Sequence, residues 1–180
     1  MLPRAVVRGH RNPLHSKLPE RLRKIRKGAR YSGSALSTEA ELARNAVRDL
    51  ERAARVPRVD TLERVAAALA VSPAWLAFGE GDPQPWEPSP TLCAEGVGER
   101  LREARMLRGY SVREVGRLSG TSDTLVRMTE TGQTLPNIGK VEALADALSV
   151  SPGWLAFGIG PMQAPARRTR AASASEADPP

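Results

Sequence analysis

Apolar residues in this chain return at the three-to-four spacing of a helix, and nowhere do they alternate in the period of a half-buried strand. Behind Gly98, positions 101, 104, 105 and 108 mark one helical face. The corresponding segment of the amino-terminal half opens at Pro19, a residue favoured in a first turn. Ser111 stands before Val112-Arg113-Glu114-Val115, with an acceptor serine and a glutamate three residues on, so a capping box is expected there. Gly120 breaks the pattern. Ser122 then caps a short helix through Thr131, with Gly132 as its carboxyl-terminal stop, and Pro136 lies in the loop before a helix over Ile138–Leu148. Ser151-Pro152 and Ser72-Pro73 each place a capping serine ahead of a proline at the first helical position, opening a short apolar helix that carries a Trp and a Phe. Five short helices in each half make an all-α protein.

The two halves say the same thing. Val71-Ser72-Pro73-Ala74-Trp75-Leu76-Ala77-Phe78-Gly79 returns 79 residues later as Val150-Ser151-Pro152-Gly153-Trp154-Leu155-Ala156-Phe157-Gly158. The offset holds without a gap: Glu20–Arg23 matches Glu99–Arg102, Tyr31-Ser32 matches Tyr110-Ser111, and Arg48, Glu51 and Pro57 match Arg127, Glu130 and Pro136. Solenoid units run ~20–50 residues, so this is a duplication of a whole small domain. The chain divides into a basic flexible arm (1–17), a first domain (18–80), a Pro-rich linker (81–96), a second domain (97–159) and a disordered tail (160–180). Pro83, Pro85, Pro88 and Pro90 make the linker extended, at ~3.1 Å per residue.

A net charge of +7 suits a polyanionic partner. The excess sits early: 18–80 carries 12 basic and 8 acidic side chains, whereas 97–159 carries 8 and 7. The single cysteine, Cys93, rules out an intrachain disulfide and fits a reducing, cytoplasmic compartment. It is expected to be an inert linker thiol. No apolar run reaches the ~20 residues of a membrane span. His10 and His15 are expected to be solvated in the arm, and no catalytic or metal-ligating constellation is found.

Ser111–Gly132 reads as helix, tight turn, helix, a helix-turn-helix in which the first helix braces the second for the major groove. On these residues each copy resembles the Cro/CI-type (XRE) helix-turn-helix family of phage repressors and bacterial regulators. The resemblance covers roughly 20–79 and 99–158. In the second copy it includes Arg100–Arg105, Ser111, Val115, Gly120, Ser122, Val126, Glu130, Gly132, Pro136, Leu144, Ala147–Val150 and Trp154. In the first it includes Arg44–Arg52, Pro57 and Thr61–Gly79. It implies two tandem five-helix lambda-repressor-like domains, double-stranded DNA as partner, no cofactor, and a third helix that reads bases.

Carried over by position, the reading residues are Arg44, Asn45, Arg48 and Asp49 in copy one, and Ser122, Asp123, Thr124, Arg127 and Met128 in copy two. Arginine can bond guanine, and asparagine adenine, with two hydrogen bonds. Arg52, Arg55 and Arg58 lie on or beyond the first reading helix and suit phosphates. Copy two departs at Asp123, whose carboxylate repels phosphate. The glutamine usual at the start of the second helix is missing from both copies, where Gly33 and Val112 stand, and copy one has Glu41 in place of the turn glycine. Copy one is therefore expected to be the better reader.

Trp75, Leu76 and Phe78 and their mates Trp154, Leu155 and Phe157 are expected to close each core. Part of that face is also expected to pair the two copies, either as an intrachain pseudo-dimer with reading helices ~34 Å apart or between chains. The whole predicts a nucleoid-associated, sequence-specific DNA-binding regulator of transcription. A second reading stays open: a degenerate array acting as a protein-interaction module, antitoxin-like or polymerase-docking.

Overall fold

The computed structural model describes residues 13–83, 86–87 and 91–163. Copy one contains α1 (Leu18–Gly28), α2 (Gly33–Glu39), α3 (Ala46–Glu51), α4 (Val59–Ala68) and α5 (Pro73–Phe78). Copy two contains α6 (Val97–Leu107), α7 (Val112–Ser119), α8 (Asp123–Glu130), α9 (Ile138–Leu148) and α10 (Pro152–Phe157). A 3₁₀ turn leads into each copy, at Leu14–Lys17 and Cys93–Gly96. Among the described residues there is no strand, only isolated bridges.

The expected local signals act where the sequence puts them. The Ser111–Glu114 capping box is complete, and Ser122, Ser72 and Ser151 each accept from the amide three residues on. Gly120 takes the left-handed conformation at φ 66°, and Gly79 and Gly158 end the last helices in the same way. Glu41, opposite Gly120 in the repeat, is held at φ 54°. A side chain with a Cβ is disfavoured there.

Each copy closes over its own apolar stripe. Leu22, Leu36, Val47, Leu62 and Leu76 are fully buried in copy one; Leu101, Val115, Val126, Leu144 and Leu155 do the same in copy two. One arginine ties the first helix of each copy to its last. Arg21 donates to the carbonyls of Leu14, Leu76 and Ala77, and Arg100 to those of Cys93, Leu155 and Ala156. The Leu76, Ala77, Leu155 and Ala156 carbonyls lie in the last turns of α5 and α10, so these partly buried cations meet the negative end of the helix dipole.

The copies meet along one seam in which nearly every contact has a mate 79 residues away. Phe78 and Phe157 lie with ring centroids 6.5 Å apart and planes tilted by 43°. The Val59 amide donates to Pro136 O at 3.2 Å and the Ile138 amide to Pro57 O at 2.9 Å, around an antiparallel bridge of Arg58 and Asn137. Each leading turn is capped by a carboxylate of the opposite copy. Glu63 on α4 accepts from the Cys93 and Ala94 amides at 2.6 and 2.8 Å; Glu142 on α9 accepts from the Leu14 and His15 amides at 2.6 and 3.3 Å. Trp75 and Trp154, expected to share in the pairing, are half-buried against the core.

Four sequence expectations are corrected here. Within the arm expected over 1–17, Leu14–Lys17 form a 3₁₀ turn, because the Leu14 and His15 amides find the Glu142 carboxylate. His15 is not solvated: its Nδ1 lies 2.7 Å from Glu142. His10 and the rest of the arm lie outside the described residues. The linker expected over 81–96 gives up Cys93–Gly96 to the turn that Glu63 caps, and within the tail expected from 160 Gln163 bridges to Val150 while Met162 O accepts from the Ser151 amide.

Candidate nucleic-acid interface

In copy one the second and third helices flank a cleft of about 510 Å³ lined by Arg26, Ser32, Gly33, Ser34, Arg44, Asn45, Arg48 and Glu51. Its floor is fixed and its rim is not. Arg26 grips Glu51 through two hydrogen bonds at 2.6 and 3.0 Å while donating to Tyr31 O, and that carboxylate raises the guanidinium's pKa against the opposing pull of burial. Ser37, buried beneath, donates to Gly33 O and accepts from the Val47 amide, so it pins α2 to α3. At the rim Arg44, Asn45 and Arg48 are exposed, and none makes a side-chain hydrogen bond or ion pair within the described residues.

The residues expected to read bases in copy one are not all helical. α3 begins only at Ala46; Asn45 occupies its N-cap without a side-chain bond, and Arg44 lies in the preceding turn. The reason is local: Ser122, which caps α8, is replaced in copy one by Ala43, whose methyl cannot accept from a helix amide. Asp49 is engaged internally at 3.7 Å from Arg55, and Arg58 lies 3.2 Å from Asp60, whereas Arg52 is exposed and its side chain has no partner among the described residues.

Copy two presents a longer, better-capped helix with weaker chemistry. Asp123 turns back on the chain, accepting from the Thr124 amide at 3.0 Å, and Ser122 is used up as the cap. Thr124, Arg127 and Met128 are exposed. Arg105 and Glu130 repeat the brace of copy one at 2.6 and 2.8 Å. α6 lies so close to α8 that a Cβ at Gly98 would come 2.2 Å from Thr129 O.

Sequence reasoning missed the two capping glutamates. Burial alone would push the Glu142 carboxyl up, but the His15 side chain and the Leu14 and His15 amides hold it below the ordinary carboxylate range. The available signal was a carboxylate on the apolar stripe of the fourth helix, between Leu62 and Val65 and again between Val141 and Leu144, in both copies. Cys93 sits beside Glu63; burial first, and that carboxylate second, push its thiol up, which disfavours the nucleophilic thiolate. Among the described residues no group of three or more His, Cys, Asp or Glu is placed to hold a metal ion, and no helix is long and apolar enough to cross a membrane.

A helix braced from behind, entered through a tight turn and carrying exposed cations, occurring once per copy, defines a protein of the helix-turn-helix class. Residues 22–76 match the family described as Helix-turn-helix, and residues 97–155 the family described as Helix-turn-helix domain. The chain belongs to the helix-turn-helix family and carries two tandem DNA-binding domains of the Cro/CI (XRE) type. No solved structure matches it significantly.

Proposed function

We propose that the protein is a sequence-specific regulator of transcription that binds double-stranded DNA with its two copies acting as an intrachain pair. The observation that carries this reading is the triad Arg44, Asn45 and Arg48: exposed, adjacent, and free of internal partners at the mouth of a braced cleft. Arg48 and Asn45 suit guanine and adenine edges, and Ser32, Ser34 and Arg52 stand at the margins where phosphates run. The reciprocal seam supports the paired use of both heads, since the loops that follow α3 and α8 meet there. Selection from random duplexes, followed by titration of the winner at several salt concentrations, tests it. A defined motif lost in Arg44→Ala plus Arg48→Ala is expected. Enrichment of no motif, with binding gone by ~200 mM salt, would mean counterion release alone.

One observation favours protein docking as a second reading. Copy two exposes Met106, Leu107, Leu118 and Met128, where copy one carries Lys27, Gly28, Glu39 and Asp49. A copy that has given up reading residues while gaining exposed apolar ones has the composition of a protein contact.

A further inference from the structure

We infer that the seam between the copies accepts unlike halves only, so that copy one pairs with copy two in preference to either pairing with itself. Most of the seam is indifferent to this choice. Positions 57, 59, 63 and 78 carry the same or similar residues as 136, 138, 142 and 157, and any of the three pairings would keep their backbone bonds and ring contact. Selectivity lies where the repeat has diverged.

The tightest point is Gly153, which faces its own mate, Ala74, across the seam. A Cβ built on Gly153 would stand 2.8 Å from the Ala74 Cβ and 2.5 Å from Glu80 Oε2. Two copies of the first domain in this arrangement would bring alanine against alanine at that distance, closer than real side chains approach, and against a carboxylate as well. The backbones would have to part.

Two copies of the second domain escape the clash but lose the polar lock. Glu80 of copy one accepts from the Ser151 hydroxyl at 2.6 Å and from the Gly153 amide at 2.8 Å, capping α10 from across the seam. Its mate is Ile159, which accepts nothing. In a pair of second domains the Ser151 hydroxyl would keep the Trp154 amide as donor but lose its acceptor, and the Gly153 amide would lose its acceptor too, which is costly for polar groups of buried residues. Glu142 would also lose its His15 contact, because the mate of His15 is Ala94. One homotypic pairing is too full and the other too empty. Only the unlike pair has both a glycine where room is needed and a carboxylate where acceptors are needed.

This selectivity stands whether or not either head reads DNA. A protease site is placed within 84–90 of the full chain so that the folded protein can be cut between the copies, and circular dichroism before and after cutting checks that both stay folded. Light and ¹⁵N-labelled cut preparations are mixed, left to exchange, and weighed by native mass spectrometry. Every pair is expected to contain one amino-terminal and one carboxyl-terminal half. Like pairs in the proportion of random re-pairing, or halves that separate on cutting, overturn the inference. The variant Ala74→Gly with Ile159→Glu removes the bulk and supplies a second acceptor, and like pairs are expected to appear in it. An unchanged distribution there means that these residues do not set the choice.

Discussion

The two copies divide what a reading head needs. Copy two has the local structure: a complete capping box, Gly120 at φ 66°, Ser122 over the start of α8, and eight helical residues. Copy one has the chemistry: three polar and cationic side chains without partners among the described residues line a cleft, Arg48 on a six-residue helix without a side-chain cap, Asn45 at its start and Arg44 in the turn before it, after Glu41 at φ 54°. Both heads are nevertheless held in place by the same arginine–glutamate brace and by the same apolar positions. Tertiary packing therefore carries a head whose local signals have decayed, and this leaves the surface free to change.

The contrast can be broken most directly on DNA. Arg44→Ala plus Arg48→Ala removes two contacts of ~1–3 kcal/mol each, and affinity for the selected duplex should fall by about 30-fold to 10⁴-fold. Thr124→Ala plus Arg127→Ala should cost about tenfold or less. Equal losses in fluorescence anisotropy titrations would show that the copies read alike. Gly98→Ala forces a Cβ against Thr129 O and should destabilise copy two by about 1–3 kcal/mol in urea unfolding. Pro19 at the equivalent position shows that copy one has no such approach, and Pro19→Ala should change little.

Acid should act on the seam. The folded pKa of Glu142 lies below its unfolded value, so its contribution is complete above the unfolded value of about 4.3 and is lost as pH falls through the folded one. Wild type should exceed Glu142→Gln by about 1–3 kcal/mol at pH 6, with the gap closing as pH falls below the folded value. A gap independent of pH would mean that the carboxylate's charge is not what the turn amides and His15 hold. The smallest effect expected is a gain: Glu41→Gly should stabilise copy one by about 0.5–1 kcal/mol, and Gly120→Glu should cost copy two at least as much.

The division of labour between local and distant forces also decides what the sequence discloses. The α9 bounds, the Ser111 box, the Ser72 and Ser151 caps and the Gly120 turn are written within four residues of where they act, and all are found as expected. The late start of α3 was legible too, in Ala43 standing opposite Ser122, but the family resemblance drew the helix further back. What local pattern does not contain is the partner of Glu63 or Glu142, 31 and 128 residues distant, or the reach of Arg21 and Arg100 to carbonyls 55 residues away. Those contacts exist only once the copies fold and meet. They turned the ends of an expected arm and linker into structure.

The bridge between Arg58 and Asn137 marks the centre of the seam, and the residues on its two sides differ. A pair of identical subunits can be turned end for end on its site without consequence. This chain has a front and a back. Setting it on a duplex fixes an arrow: the cationic head toward one flank, and toward the other the head whose surface carries Met128 and Leu118. If the protein regulates transcription as proposed, inverting a site beside a promoter would leave affinity untouched while exchanging which head faces the transcription start, so orientation itself would become something the protein can report.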